Sequence, residues 1–212
     1  KIRQRLNMVI NWARGKRLYT GDDPIKMAEL SLPKIKQSKN HFKSLNYDEM
    51  PSLFEEIEAS SATTQSKLAL QFTIITCCRT TEVLNSTWDE IDLVKAVWTI
   101  PAERMKAGEP HSVPLSSAAL KILKKVHALR SANELIFPSP IDNKPMSDGT
   151  MRKLLQKTLG VDATVHGFRS SFKDWASETT NHPNEVSEMA LAHTIGNKTE
   201  AAYRRGDLLQ KR

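Results

Sequence analysis

HGFRSSFKDWASETTNHPNEVSEMALAHTIGNKTEAAY, residues 166–203, sets two histidines, an arginine and a tyrosine in an order suited to holding a phosphate. His166 and Arg169 stand three residues apart. The spacing of Phe168, Phe172, Trp175 and Ala176 predicts a helix that buries those four residues and puts both cationic side chains on one face. A cation pair on one face can hold an anion. The run from Asn181 to Pro183 predicts the start of a further short helix that buries Val186, Met189 and Ala190. His193 follows it, and Tyr203 comes ten residues later within EAAYRR. Singly, each residue has an ordinary explanation: a histidine beside glycine as a turn residue, a helical arginine as a solvated charge, a tyrosine as core or surface. Only the set carries chemistry, so its other members must come from elsewhere in the chain.

Immediately upstream, MSDGTMRKLLQKTLG predicts a helix with Met151, Leu154, Leu155 and Leu159 inward and Gly160 as its C-cap. LIFPSPIDNKPMS reads as a loop over a plug at Phe137. Before it, Leu120, Leu123, Val126 and Leu129 mark a helix from Ser116 to Leu129, entered through Ser116 or Ser117 as N-cap. EIDL, AVWTIP and HSVPLS have strand character and predict a small antiparallel sheet whose second hairpin carries Lys106 in its loop, near Gly108. A lysine at a hairpin tip is commonplace, but its ammonium can project from the sheet toward a ligand.

Residues 64–78, TQSKLALQFTIITCC, predict a buried helix, with Arg79 directly after it, Glu82 one turn later and Trp88 anchoring the exit. NYDEMPSLFEEIEAS predicts a capped helix with Asp48 and Glu49 in its first turn and Leu53, Phe54 and Ile57 inward. A compact domain is expected over residues 46–212. Residues 31–45 are basic, polar and aperiodic, and read as a linker. In residues 1–30, Ile2, Leu6, Val9, Ile10 and Ala13 predict a helix that stops at Gly15, and Asp22, Asp23 and Pro24 open a short helical piece. The expected fold class is α+β, mostly α-helical with one three-stranded antiparallel sheet and no internal repeat.

A length of 212 residues with 39% hydrophobic content suffices for one full core plus an appendage. The 31 Lys+Arg against 24 Asp+Glu give a net charge of +7, which favours a polyanionic partner, nucleic acid first. The only cysteines, Cys77 and Cys78, are adjacent and have no metal-ligand companions, so neither a disulfide scaffold nor a zinc site is expected. That usage fits a reducing cytoplasm. No stretch approaches 18 consecutive apolar residues, and KIRQRLNMVINWARGKR is charged throughout where a signal sequence would be apolar, so no membrane partner is expected. Opening directly on an amphipathic pattern, the chain is expected to be part of something longer.

In order, the candidates are Arg79, Lys106, His166, Arg169, His193 and Tyr203. Together they resemble the tyrosine recombinases, specifically the phage and genomic-island integrases. CCRTTEVLNSTWDEIDL is similar to the family's first arginine box, although Cys78 and Thr80 flank Arg79 where the family usually has glycine. WTIPAERMKAGEPHSVPLS is similar to its strand hairpin with the catalytic lysine, and its wording is close to the prophage P4-type subgroup. HGFR resembles the H-x-x-R box, ALAH the second histidine position and AAYRR the nucleophile box. No single box is specific; six in the right order over about 125 residues are.

The resemblance implies a DNA breaking-rejoining catalytic domain over residues 46–212, preceded in residues 1–30 by the end of a core-binding domain. It implies cleavage and rejoining of DNA strands through a 3′-phosphotyrosine at Tyr203, integrating or excising a phage or genomic island. Arg79, Arg169 and His193 would hold the non-bridging oxygens, with Glu82 as structural support, His166 as proton acceptor and Lys106 as general acid. The physical chemistry agrees: planar guanidinium forks match the extra charge of a phosphorane-like transition state. A tyrosine with its ordinary pKa of about 10 needs a base or cationic surroundings. The chain has no acidic cluster near these residues to hold Mg²⁺, and two arginines can carry the charge a metal would, so no metal or cofactor is expected.

The partners implied are double-stranded DNA at attachment sites, a tetramer assembled on DNA from monomers in solution, and DNA-bending and excision factors. The location implied is the cytoplasm of a bacterial host, associated with the nucleoid. The competing readings are a type IB topoisomerase-like strand transferase and a non-catalytic DNA-binding module. A phosphate-binding metabolic enzyme is disfavoured because no Gly-rich phosphate loop is present.

Overall fold

The structure is a computed structural model that describes residues 2–31, 42–129, 134–139, 144–193 and 208–212. It divides into two compact units, residues 1–41 and 42–212. The first holds helices α1 (Ile2–Gly15) and α2 (Pro24–Ser31). Gly15 belongs to the last turn of α1 and is not its stop. The left-handed position falls at Arg17, φ 57°, with Leu18 N–H donating to Ala13 O and Arg17 N–H to Arg14 O. At α2 the expected helical opening is present, capped by Asp23, whose Oδ1 accepts from Ile25 N–H at 3.0 Å, ahead of Pro24 at the first helical position. Ile2, Leu6, Val9 and Trp12 of α1 stay exposed, so the apolar stripe is uncovered among the described residues.

The second unit is built on α4 (Thr64–Thr76), whose Leu68, Ala69, Leu70, Phe72 and Ile74 are buried together with Gln71, Thr73 and Thr76. A helix buried on nearly every side must satisfy its hydroxyls internally, and Thr73 and Thr76 each donate at 2.7 Å to the carbonyl one turn back. Around it lie α3 (Met50–Ala59), α5 (Thr80–Leu84), α6 (Ser117–Ala128) and α7 (Asp148–Lys153). Leu53 and Ile57 of α3 face inward as expected, below a capping box in which Asn46 and Glu49 satisfy each other's orphan N–H groups. Phe72 stacks at 5.5 Å on Trp98 and 5.6 Å on Phe137, the plug expected beneath its loop.

The sheet is three-stranded and antiparallel in the order β1 (Ile91–Asp92), β2 (Val97–Ile100), β3 (His111–Pro114), with Trp98 opposite Ile91 on one side and Val113 on the other. Completing the unit are α8 (Phe168–Thr179) and α9 (Asn184–Ala190), both within the stretch from His166 to Tyr203.

The expected inward faces need three corrections. Trp175 is 43% exposed, since α8 turns only Phe168, Arg169, Ser171 and Ala176 fully inward. Leu129 is 51% exposed, because α6 ends at Ala128 and the chain leaves the helical path there; Ala119 and Ile122 are buried instead. On α9 the fully buried pair is Val186 and Ser187, with Met189 and Ala190 half-buried. Most of the linker, residues 32–41, lies outside the described residues. No helix among those described is long and apolar enough to cross a membrane.

Candidate active site

Arg79 is delivered by the way α4 ends. Cys77 adopts the left-handed conformation, φ 52°, and its N–H donates to Ile74 O. The chain then turns, and Arg79 becomes the N-cap of α5. Three residues on, the Glu82 carboxylate reaches back: Oε2 accepts from Arg79 N–H at 2.8 Å and Oε1 from Arg79 Nη1 at 2.7 Å. Glu82 is 2% exposed, so it anchors backbone and side chain of the arginine from inside the protein. The sequence assigned it this support.

Arg169 is 6% exposed and pinned by backbone carbonyls on two other segments. Nη1 donates to Cys77 O and Nη2 to Leu191 O, each at 2.5 Å. The fork is thereby fixed against both the end of α4 and the end of α9. Its charge is under pressure: burial first, then neighbouring Arg79, push its pKa below the ordinary arginine value, while Glu82 acts in the opposite direction. An anion entering between the two guanidiniums would relieve that repulsion.

His193 follows α9 through a Schellman motif: its N–H donates to Glu188 O at 3.0 Å, and the N–H of Ala192, φ 48°, to Met189 O at 3.0 Å. The turn aims the imidazole back at Arg169, whose Nη2 lies 3.1 Å from Nε2. On the ring's other side Nδ1 lies 2.8 Å from Glu188 Oε2.

His166 sits in a 3-10 turn, Val165–Gly167, that runs into α8, so the expected common helical path with Arg169 holds. The ring of Phe42, at the end of the linker, packs on it at 4.5 Å. Desolvation first, then the positive charges of Arg169 and Arg79, lower the His166 pKa from its usual value. Its imidazole is therefore neutral at pH 7 and able to take a proton.

Lys106 lies in the β2–β3 hairpin loop, and the loop is tied to the arginine clamp. Arg104 Nη1 donates at 2.9 Å to the carbonyl of Glu82, and Nη2 pairs with the Glu90 carboxylate, which also accepts from Trp98 Nε1 at 2.9 Å. Lys106 and Ala107 then line a cleft of about 280 Å³ with Arg79, Ala192 and His193.

The structure thus gathers Arg79, Lys106 and His193 around one cleft, with Arg169 bonded behind His193 and the charge of His166 coupled to both arginines. Tyr203 lies outside the described residues. Sequence reasoning missed Phe42, Arg104, Lys173 and Glu188; of these only Arg104 left a local trace, two residues before the lysine it helps to place. Burial pushes the Cys77 thiol up to about 12 and raises Cys78 as well, so both are protonated structural residues. Among the described residues no three His, Cys, Asp or Glu side chains converge as metal ligands do. The cleft presents guanidinium, ammonium and imidazole groups around one space.

The model of the phage integrase family matches residues 43–208. Prophage integrase IntA of Escherichia coli (strain K12) is 33% identical over 214 residues, covering all of this chain and 51% of the relative. The integrase of Enterobacteria phage P4 is 27% identical over 221 residues, covering 96% of this chain and 49% of the relative. The chain spans about half the length of the curated relatives it matches. Among solved structures, a lambda integrase tetramer bound to a Holliday junction aligns with a TM-score of 0.65 at 19% identity, over 93% of this chain and 58% of that one. The likeness is one of fold.

Proposed function

The chain belongs to the phage integrase family, and on that footing we propose that residues 46–212 are the catalytic domain of a site-specific DNA recombinase that works through a 3′-phosphotyrosine at Tyr203. The observation that carries the reading is the single cleft lined by Arg79, Lys106 and His193, with the Arg169 fork bonded behind it.

In the reaction, the phenolic oxygen of Tyr203 forms a bond to the scissile phosphorus and the bond to the 5′ oxygen breaks. Arg79 and Arg169 hold the non-bridging oxygens, where negative charge grows in the transition state, and His193 is the third donor, its Nε2 taking up a proton when the phosphate enters beside it; each such donor typically contributes about 3–4 kcal/mol. The phenol proton goes to the neutral imidazole of His166, and the Lys106 ammonium supplies the proton that the departing 5′ oxygen needs. The tyrosyl phosphodiester stores the energy of the broken bond, so the 5′-hydroxyl of another strand can reverse the step without ATP. The substrate is double-stranded DNA at attachment sites, in the cytoplasm of a bacterial host. The protein is a monomer in solution and a tetramer on DNA, assisted by DNA-bending and excision factors. Residues 1–30 belong to a DNA-binding core-binding domain and residues 31–45 to the basic linker.

The test is a nicked duplex carrying a candidate attachment core, incubated with the chain in EDTA and run on a denaturing gel. A covalent protein–DNA band that disappears in Tyr203→Phe, while DNA binding persists, is the expected result. The same band in Tyr203→Phe would overturn the assignment. Relaxation of supercoiled plasmid without strand exchange would move the reading to a type IB topoisomerase-like transferase, and a stable tetramer in gel filtration without DNA would contradict assembly on DNA.

A further inference from the structure

The protonation of His193 can be read from its neighbours. A guanidinium only donates hydrogen bonds, so Arg169 Nη2, 3.1 Å from Nε2, requires that nitrogen to accept. The ring proton therefore sits on Nδ1 and is donated to Glu188 Oε2 at 2.8 Å. Glu188 holds the same residue a second time through its main chain, its carbonyl accepting the His193 N–H.

The carboxylate is itself held from another helix. Lys173 of α8 places Nζ 2.5 Å from Glu188 Oε1, and also donates to Ser187 Oγ at 2.7 Å and to Asn184 Oδ1. One lysine thus ties α8 to three residues of α9, and each oxygen of Glu188 has its own partner. The bond from Lys173 foremost, then that from His193, keeps the Glu188 carboxyl below the usual glutamate range, so it is ionised at neutral pH.

We propose that Glu188, steadied by Lys173, is a positioning residue for cleavage: by accepting from Nδ1 it fixes the ring pose and tautomer in which His193 turns Nε2 to Arg169 and the cleft. The inference rests on the phosphodiester-cleaving reading of this site. It goes beyond it in assigning function to two residues that do not line the cleft. A carboxylate that orients a catalytic imidazole acts through that imidazole alone, which separates it from a residue that only supports the fold.

The experiment uses the full chain with Glu188→Ala, Glu188→Gln and Lys173→Met, each alone, and Glu188→Ala also in a His193→Ala background. Single-turnover cleavage of the nicked duplex is expected to fall roughly 10–100-fold in Glu188→Ala with DNA affinity unchanged. Glu188→Gln, whose amide oxygen still accepts from Nδ1, should recover most of that loss, and Lys173→Met should lose less than Glu188→Ala. In the His193→Ala background, Glu188→Ala should cost nothing further; an equal loss there would make Glu188 a fold-supporting residue and overturn the proposal. Independently of DNA, ¹⁵N shifts of the His193 ring should report the Nδ1–H tautomer in the unmutated chain and in Glu188→Gln, with the bonded Nδ1–H signal lost in Glu188→Ala. An Nε2–H ring unaffected by Glu188→Ala would overturn the proposal even with cleavage intact. A chain that binds DNA without cleaving it sinks the functional reading while the ring shifts still decide the Glu188 contact.

Discussion

The carbonyl oxygen of Lys43 lies 2.0 Å from where a Cβ on Gly167 would stand. Gly167 has φ −61° and ψ −27°, an ordinary helical conformation, so space and not backbone freedom requires glycine there. The segment from Phe42 to Tyr47 crosses this point as a strap. Lys43 O accepts from Thr164 N–H at 2.9 Å, Leu45 O accepts from Ser171 Oγ, and Tyr47 donates to Glu178 at 2.8 Å. The end of the linker is thus built into the His166 box, and its Phe42 ring covers His166 itself.

Gly167→Ala must push the strap away or distort the turn that carries His166. Overpacking of this kind costs roughly 1–3 kcal/mol, and in a chain of this size each kcal/mol lowers Tm by about 2–4 °C. Thermal unfolding should show that loss, accompanied by slower cleavage because His166 moves with the turn. An unchanged Tm would mean that the strap does not lie where the structure has it.

Ala192 occupies a left-handed position that costs an L-residue about 1–2 kcal/mol. Ala192→Gly removes that strain and gives back part of it through the freer unfolded chain. A gain of roughly 0.5–1 kcal/mol in urea unfolding is expected. A lower midpoint would show that the Ala192 methyl packs better than the strain costs.

Arg104 spans two elements because its fork serves the Glu82 carbonyl and the Glu90 carboxylate at once. Lysine offers a single ammonium and cannot bridge both. Arg104→Lys should destabilise by roughly 1–3 kcal/mol, the scale for losing a bond to a charged group. It should also slow cleavage more than it weakens DNA binding, since the Lys106 loop loses its tie to the Arg79 clamp. Equal losses in binding and cleavage would argue against that coupling.

The lowered pKa of His166 fixes the direction of an acid limb. Its imidazole is neutral above the usual histidine value of about 6.5, so the rate should be level there and fall as pH drops below 6.5 through the folded-state value. The same shift makes stability fully present above 6.5 and lost on acidification, because the unfolded chain takes up the proton more readily. His166→Gln should lower the plateau and remove its limb. A wild-type limb centred above pH 6.5 would assign the proton to another group.

His111 gives a separate stability window. Burial first, then the nearby charge of Arg212, push its pKa down to about 4. The folded form binds fewer protons between 6.5 and about 4, so stability should decline across that interval as pH falls. Urea titrations of His111→Gln should show a shallower decline there, and an identical slope would contradict the shift.

Some of this was legible along the chain because local chemistry repeats at short range. The capped helix opening at Asn46 with Asp48 and Glu49 in its first turn, the buried run Leu68–Ile74, the three short strands and the Arg79–Glu82 pair all lie within one or two turns of sequence. Their periodicity and turn residues determined an α+β chain, and the resemblance of six short boxes to the integrase pattern named the candidate residues in order. The exposure of Trp175 and Leu129 was not legible, because an apolar side chain at a helix edge obeys the same spacing as one in the core.

The sequence by itself determined which residue types were available for phosphate chemistry and in what order they came. Tertiary structure alone decided their geometry, since the decisive contacts join distant segments. Arg169 is held by Cys77 and Leu191, Lys106 by way of Arg104 on Glu82, His166 under Phe42, and Glu188 by Lys173 on another helix. A guanidinium's direction and an imidazole's tautomer depend on carbonyls and carboxylates that only folding brings within 3 Å, and no spacing along the chain encodes them.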